Sequence, residues 1–306
     1  MPTPITHLPA RAVAALSLCA TLTGCTDLGP VLVGWKHLGL PDEGGPDSGG
    51  GPPPLEPLPG LELAAVSGGA FSIGCTAGQS ACEADERPAT PVELSGAYAI
   101  GRTEVTQAQY ERLMGEAPAA AAGCPDCPVE SVTWHEAAAF ANALSAHAGL
   151  EACYGCADAD GGLRCAPVGE LAACGGYRLP TEAEWEGAAR CGEDLLYAGG
   201  DDVDAVAWTA DTAGGAPQPV AGRAPNACGL WDLSGNVWEW TADWYDEDRA
   251  ASAQGLDPTG PETGSRRAIR GGGWGHGARL ARVASRDELA PGFVHEAVGF
   301  RVAQGL

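Results

Sequence analysis

The 306-residue chain carries 17 basic against 40 acidic side chains, a formal net charge of −23. That balance argues against nucleic-acid binding by phosphate neutralisation and suits solubility or the capture of cations. With 45 Gly and 24 Pro, the fold should be rich in turns and irregular loops, and the length suffices for one large domain with a full core.

Residues 1–25 read as a leader rather than as part of the fold. Arg11 precedes the apolar run from Ala12 to Ala20, and Leu22-Thr-Gly-Cys25 follows it. This is a signal-peptide layout, too short for a permanent spanning helix. Leu-Thr-Gly-Cys resembles the lipobox of bacterial lipoproteins. That implies export, Cys25 as the lipidated N-terminus, and anchoring to the cell envelope, expected at the outer membrane, through lipid alone. Residues 26–60 contain a Gly- and Pro-rich run from Pro41 to Pro54 and predict a tether. The third segment, residues 61–306, carries the folded domain.

From Leu61 to Gly74 the pattern alternates around Gly68-Gly69 and predicts a β-hairpin. Residues 92–100 predict further strand. Three helices then open on the same device, a Thr followed three residues later by Gln or Glu: Thr106 with Gln109, Thr133 with Glu136, and Thr181 with Glu184. The first should bury Tyr110, Leu113 and Met114 and stop at Gly115. The second should bury Ala137, Phe140, Ala141 and Leu144, and the third Trp185, Ala188 and Ala189. Capping gives Glu136 and Glu184 a sufficient structural role, so neither is a candidate catalytic acid. Residues 201–225 and 246–266 are turn-rich. The short apolar runs 267–274, 280–285 and 298–303 should pair as closing strands. Short strands, about three helices and long loops predict an α+β fold.

Of 12 cysteines, Cys19 leaves with the leader and Cys25 takes lipid. The remaining ten form an even set in an exported chain, which points to disulfides. Cys124-x-x-Cys127 and Cys153-x-x-Cys156 could instead build a zinc site, although the gap between the pairs exceeds that of zinc ribbons. Spacing does not fix connectivity. The expected pairing is Cys75–Cys82, Cys124–Cys127, Cys156–Cys165 nested within Cys153–Cys174, and Cys191–Cys228.

The densest stretch runs from Asn226 to Trp244. Trp231, Trp238, Trp240 and Trp244 imply a local core. Asp232 and Glu239 bracket the turn signal Ser234-Gly235-Asn236. Two carboxylates with inward-facing turn carbonyls are a ligand set for calcium; the plain alternative is two solvated carboxylates beside a tight turn.

Gly229-Leu-Trp-Asp-Leu-Ser-Gly-Asn-Val-Trp-Glu-Trp240 resembles the signature of the formylglycine-generating enzyme (sulfatase-modifying factor) family. Further blocks of that family follow its order: Ala99 to Thr106, Pro128 to Trp134, Gly176 to Trp185, Arg270 to Trp274, and Gly299 to Val302. The resemblance covers residues from near 62 to 303. It implies a C-type-lectin-like fold and a calcium site made of Asp232, the carbonyls of Gly235 and Val237, and Glu239. A second calcium site of the family should be lost, since Val206 stands where it has Asn. The family's activity uses a cysteine pair that binds copper(I), after the Arg-Gly-Gly-Ser block, to oxidise a sulfatase cysteine. Aligned here, those positions fall near His276 and Ala278, and no cysteine follows Cys228. Copper is therefore not expected. The expected role is a calcium-stabilised domain that binds a protein or small ligand in a cleft lined by Trp274, His276, Arg279 and Arg286. The alternative is a metal-dependent oxidoreductase with altered ligands, with His276, His295, Glu296 and Arg286 as catalytic candidates and iron held by two histidines and a carboxylate.

Overall fold

The computed structural model describes residues 58–306, apart from 76–78, 80, 160, 250–252 and 254. The expected leader, Cys25 and tether residues 26–57 lie outside that range. In chain order the elements are β1 (Leu63–Val66), β2 (Gly69–Ile73), β3 (Thr90–Leu94), β4 (Tyr98–Gly101), α1 (Gln107–Met114) and α2 (Trp134–His147). They continue with β5 (Tyr154–Ala159), β6 (Gly162–Pro167), β7 (Tyr177–Arg178), α3 (Glu182–Arg190), the single turn α4 (Val203–Val206) and β8 (Trp238–Trp244). The chain closes with β9 (Gly255–Leu256), β10 (Arg267–Arg270), β11 (Arg286–Leu289), β12 (Val298–Gly299) and β13 (Ala303–Gly305). This is the expected α+β class. No described helix is long and apolar enough to cross a membrane.

Two four-stranded sheets, ordered β1-β4-β13-β7 and β11-β10-β8-β12, are joined by a three-stranded sheet β2-β3-β9 and the ribbon β5-β6. The hairpin expected around Gly68-Gly69 does not form. β1 pairs with β4, and β2 pairs with β3 in a different sheet. Gly68 serves a close crossing instead: a Cβ there would sit 2.5 Å from the carbonyl oxygens of Leu94 and Gly96. Residues 280–285 are not a strand either. Ala278–Ala281 is a 3-10 turn, and Arg282 then folds inward while Val283 N bonds to Leu196 O. β5 and β6 pair Ala159 with Gly162 across a two-residue connection, and Asp-Gly between strands is a hairpin signal in its own right. The domain also begins before residue 61, because Leu58 is buried in the main core.

All three helices carry complete capping boxes at the expected residues, and α1 ends on Gly115 at φ 89°. The expected faces of α2 and α3 are fully buried. α2 packs Phe140 against Tyr110 and Phe300, with the Tyr110 ring stacked at 5.4 Å and the Phe300 ring edge-on at 5.3 Å. The five disulfides pair the ten cysteines as expected.

Candidate functional site

The stretch from Asn226 to Trp244 is fixed at its start by α3. Asn226 Nδ2 donates to the carbonyls of Ala188 and Ala189, while its Oδ1 accepts from the amides of Cys228 and Leu230. The Cys191–Cys228 disulfide secures the same junction. Asp232, Gly235 and Asn236 then take φ of 59°, 83° and 59°, the left-handed region that Asp, Asn and Gly enter most readily. A Cβ on Gly235 would run into the Trp208 backbone, so glycine alone fits there.

Against this turn lies a buried charge cluster. Both Glu239 oxygens accept from Arg301, each at 2.6 Å, and Oε2 also accepts from Trp185 Nε1. Arg301 reaches on to the carbonyls of Gly101 and Trp231, tying the end of β4 to the turn. Glu104 accepts from Asn236 Nδ2 and Val237 N. Asp232 Oδ2 accepts from Ala221 N, but its buried Oδ1 has no partner. Three carboxylates thus share one guanidinium. Burial, then Asp232 and Glu239, push Glu104 well above the carboxylate range, and burial raises Asp232 to about 6.

An unanswered carboxylate oxygen amid excess negative charge is what a hard cation satisfies. Glu239 Oε1, with one hydrogen bond, keeps a lone pair for such an ion; Oε2, with two, does not. Oxygen donors of this kind are the type that calcium takes. The three carboxylates do not form a group with ligand atoms all within 4.8 Å of one another. A cation between Asp232 and Glu239 would thus need main-chain oxygens, for which Gly235 and Val237 stand in sequence between them. At the other expected position, Val206 packs in an apolar cluster with Tyr197 and Ala281.

The segment after β10 borders a second region. Trp274 Nε1 donates to the Glu296 carbonyl. His276 lies edge-on to Trp238, with ring centroids 5.9 Å apart, and its buried Nδ1 has no partner. Burial, and after it His295, lower its pKa. Exposed His295 spends its Nδ1 on the amide of Ala297. His276, His295 and Glu296 do not converge on one point; among the described residues, the group of three potential metal ligands within 4.8 Å is Cys75, Cys82 and Glu86. The expected facial triad is not assembled.

Arg286 also leaves the expected cleft. It is buried in a two-pronged ion pair with Glu182 (2.8 and 2.7 Å) and donates to the Asp246 carbonyl. The cause is α3, whose Glu182 and Glu186 point inward four residues apart and gather Arg190, Arg249, Arg270 and Arg286. Arg279 is exposed and pairs with Glu83, while Arg282 forms a buried two-pronged pair with Glu86. Those two pairs hold the loop that carries Cys82 against Ala278–Ala281. The sequence reading missed Glu104, Arg301 and this arginine network. Only the position of Glu104 and Arg301 within two family-like blocks could have drawn attention to them.

Residues 54–306 match the model of the sulfatase-modifying factor enzyme 1-like domain. The formylglycine-generating enzyme of Streptomyces coelicolor is 33% identical over 199 residues, which are 59% of this chain and 54% of that enzyme. The chain therefore spans about half of that relative's length. Chaperone protein LppX of Paenibacillus barcinonensis is 32% identical over 73% of this chain and 82% of its own. Among solved structures, Treponema denticola variable protein 1 superposes with a TM-score of 0.69 at 31% identity, covering 80% of this chain and 95% of that one.

Proposed function

The chain belongs to the sulfatase-modifying factor, or formylglycine-generating enzyme, family, and from that premise we propose that it is a calcium-stabilised binding domain at the bacterial cell envelope, without the thiol-dependent oxidase. One observation carries this reading: all ten cysteines from Cys75 to Cys228 are spent in disulfides, and none follows Cys228. Copper(I) chemistry of the kind the resemblance implies requires soft thiolate ligands. The disulfide density suits an oxidising compartment, in keeping with a leader and a lipidated Cys25. The unpartnered Asp232 oxygen supports calcium, with Glu239 and the carbonyls of Gly235 and Val237 completing the ligand set. A relative described as a chaperone supports a polypeptide as the ligand.

The test is to incubate the purified protein with copper(I), oxygen, a thiol reductant and a peptide bearing a sulfatase-type cysteine. The peptide mass should stay unchanged; turnover to the aldehyde contradicts the reading. A second reading has an observation of its own. If Cys75 and Cys82 were reduced, two sulfurs and Glu86 would stand within 4.8 Å of one another, beside Ala278–Ala281. That is the place for a metal-dependent oxidoreductase with altered ligands, and copper or iron in the purified protein would favour it.

A further inference from the structure

A cleft of about 860 Å³ opens on the face formed by β1, β2 and the end of α3, a volume typical of ligand sites. Its floor is apolar, made of Val66, Leu94, Phe71 and Tyr98 beside the Cys191–Cys228 disulfide. Gly187 on α3 makes room for this floor, since a Cβ there would press on the Phe71 ring at 3.1 Å and on Tyr98 Oη at 3.3 Å. Two strand edges form its walls. Among the described residues, β2 is bonded on one side only, to β3, and β1 on one side only, to β4. Natural sheets defend such edges with charges, prolines or bulges. β2 reads Gly-Ala-Phe-Ser-Ile and β1 Leu-Ala-Ala-Val, with neither charge nor proline. Gly69 is open, with nothing within 4 Å of where its Cβ would stand.

The rim decides the charge of the occupant. Glu193 and Asp194 follow the C-terminal end of α3, where the helix dipole already favours cations. Arg190, the basic residue of the lining, is consumed internally by Glu186, the Gly74 carbonyl and Asp194. Glu193 has no cationic partner among the described residues. Unshielded strand edges, an aromatic floor and an acidic rim together suit backbone pairing with a basic, extended chain.

We propose that this cleft binds an extended segment of a partner polypeptide, which adds to the free edge of β2, seats an apolar side chain over Phe71 and Tyr98, and places Lys or Arg against Glu193. The proposal rests on reading the domain as a binder, and it names the partner class and the face. The probe is a labelled synthetic peptide in which lysine alternates with valine and phenylalanine, compared by fluorescence anisotropy with a twin carrying glutamate in place of lysine. The expected result is binding of the basic peptide alone, with slowed amide hydrogen exchange across Gly69–Ser72. Glu193→Lys should weaken it by about threefold or more, the scale of a lost exposed ion pair plus the added repulsion. Glu262→Lys, an equal charge change on an exposed residue outside the cleft, should leave affinity unchanged. No binding of the basic peptide, equal weakening by both variants, or binding without protection of β2 each overturns the proposal. Such a failure leaves the non-oxidase reading standing, since that reading is decided by the fate of the cysteine peptide. Conversely, oxidation of that peptide would leave the cleft result untouched.

Discussion

Each buried ion pair in this domain reflects a competition between desolvation and Coulomb attraction, and geometry decides the outcome. Glu239 and Arg301 are fully buried and meet through two parallel bonds. Removing one partner strands the other charge, which costs about 3–5 kcal/mol. Glu239→Gln should lose stability on that scale in urea denaturation. Glu62→Gln, which breaks an exposed pair with Arg102, should change it by no more than about 0.5 kcal/mol. Equal effects would mean that the buried pair adds nothing special. Two other carboxylates set opposite pH dependences. Burial, and then Glu182, raise Asp243 to about 8 from an ordinary value of 3.8. Its contribution is therefore complete below pH 3.8 and is lost as pH rises through about 8. Against the burial that would raise it, Arg286, Arg270 and Arg249 hold Glu182 at about 2. Its contribution is present above its ordinary 4.5 and is lost as pH falls through about 2. Stability should thus decline from mildly acid to mildly alkaline pH, and Asp243→Asn should flatten that decline. An unchanged slope in the variant would show that other groups cause it.

At the scale of elements, the helix starts were the most legible feature, because a capping box is local chemistry written in four consecutive residues. Each of Thr106, Thr133 and Thr181 accepts from the amide three residues on. Thr181→Ala should cost about 1 kcal/mol. Thr181→Ser, which keeps the hydroxyl, should restore most of that in thermal unfolding; an undiminished loss in the serine variant would shift the cause from the cap to packing. Strand partners were less legible. The alternation from Leu61 to Gly74 located two strands correctly but could not reveal that Gly68 carries the chain from one sheet to another, since that crossing depends on carbonyls of Leu94 and Gly96 distant in sequence. Residues 280–285 are apolar enough for a strand, yet Arg282 turns inward to Glu86, a partner 196 residues away. The β5–β6 ribbon has only a weak signature, an Asp-Gly step between two short segments whose alternation is broken by cysteines. The site followed the same rule. Asp232 and Glu239 stood out by local spacing, whereas Glu104 and Arg301 join them only through the fold.

At the scale of the whole molecule, eight buried arginines face nine buried carboxylates among the described residues, so the interior is close to charge balance and the net charge of −23 is carried almost wholly outside it. That distribution favours cations at the surface and in the carboxylate cluster alike. If calcium neutralises Asp232, chelation should lower the melting temperature by on the order of 5 °C. Asp232→Asn, which tolerates the same left-handed backbone while removing the charge, should abolish the response to chelator. A wild-type protein indifferent to chelation would remove calcium from the description. The deeper question is whether this family scaffold has any sulfur left for redox work. Alkylation of the purified, unreduced protein under denaturing conditions, followed by peptide mapping, answers it. The expected result is no modification at any of the ten cysteines from Cys75 to Cys228. Stoichiometric alkylation of Cys75 and Cys82, the pair beside Glu86, would contradict it and restore a metal-binding thiol site to the fold.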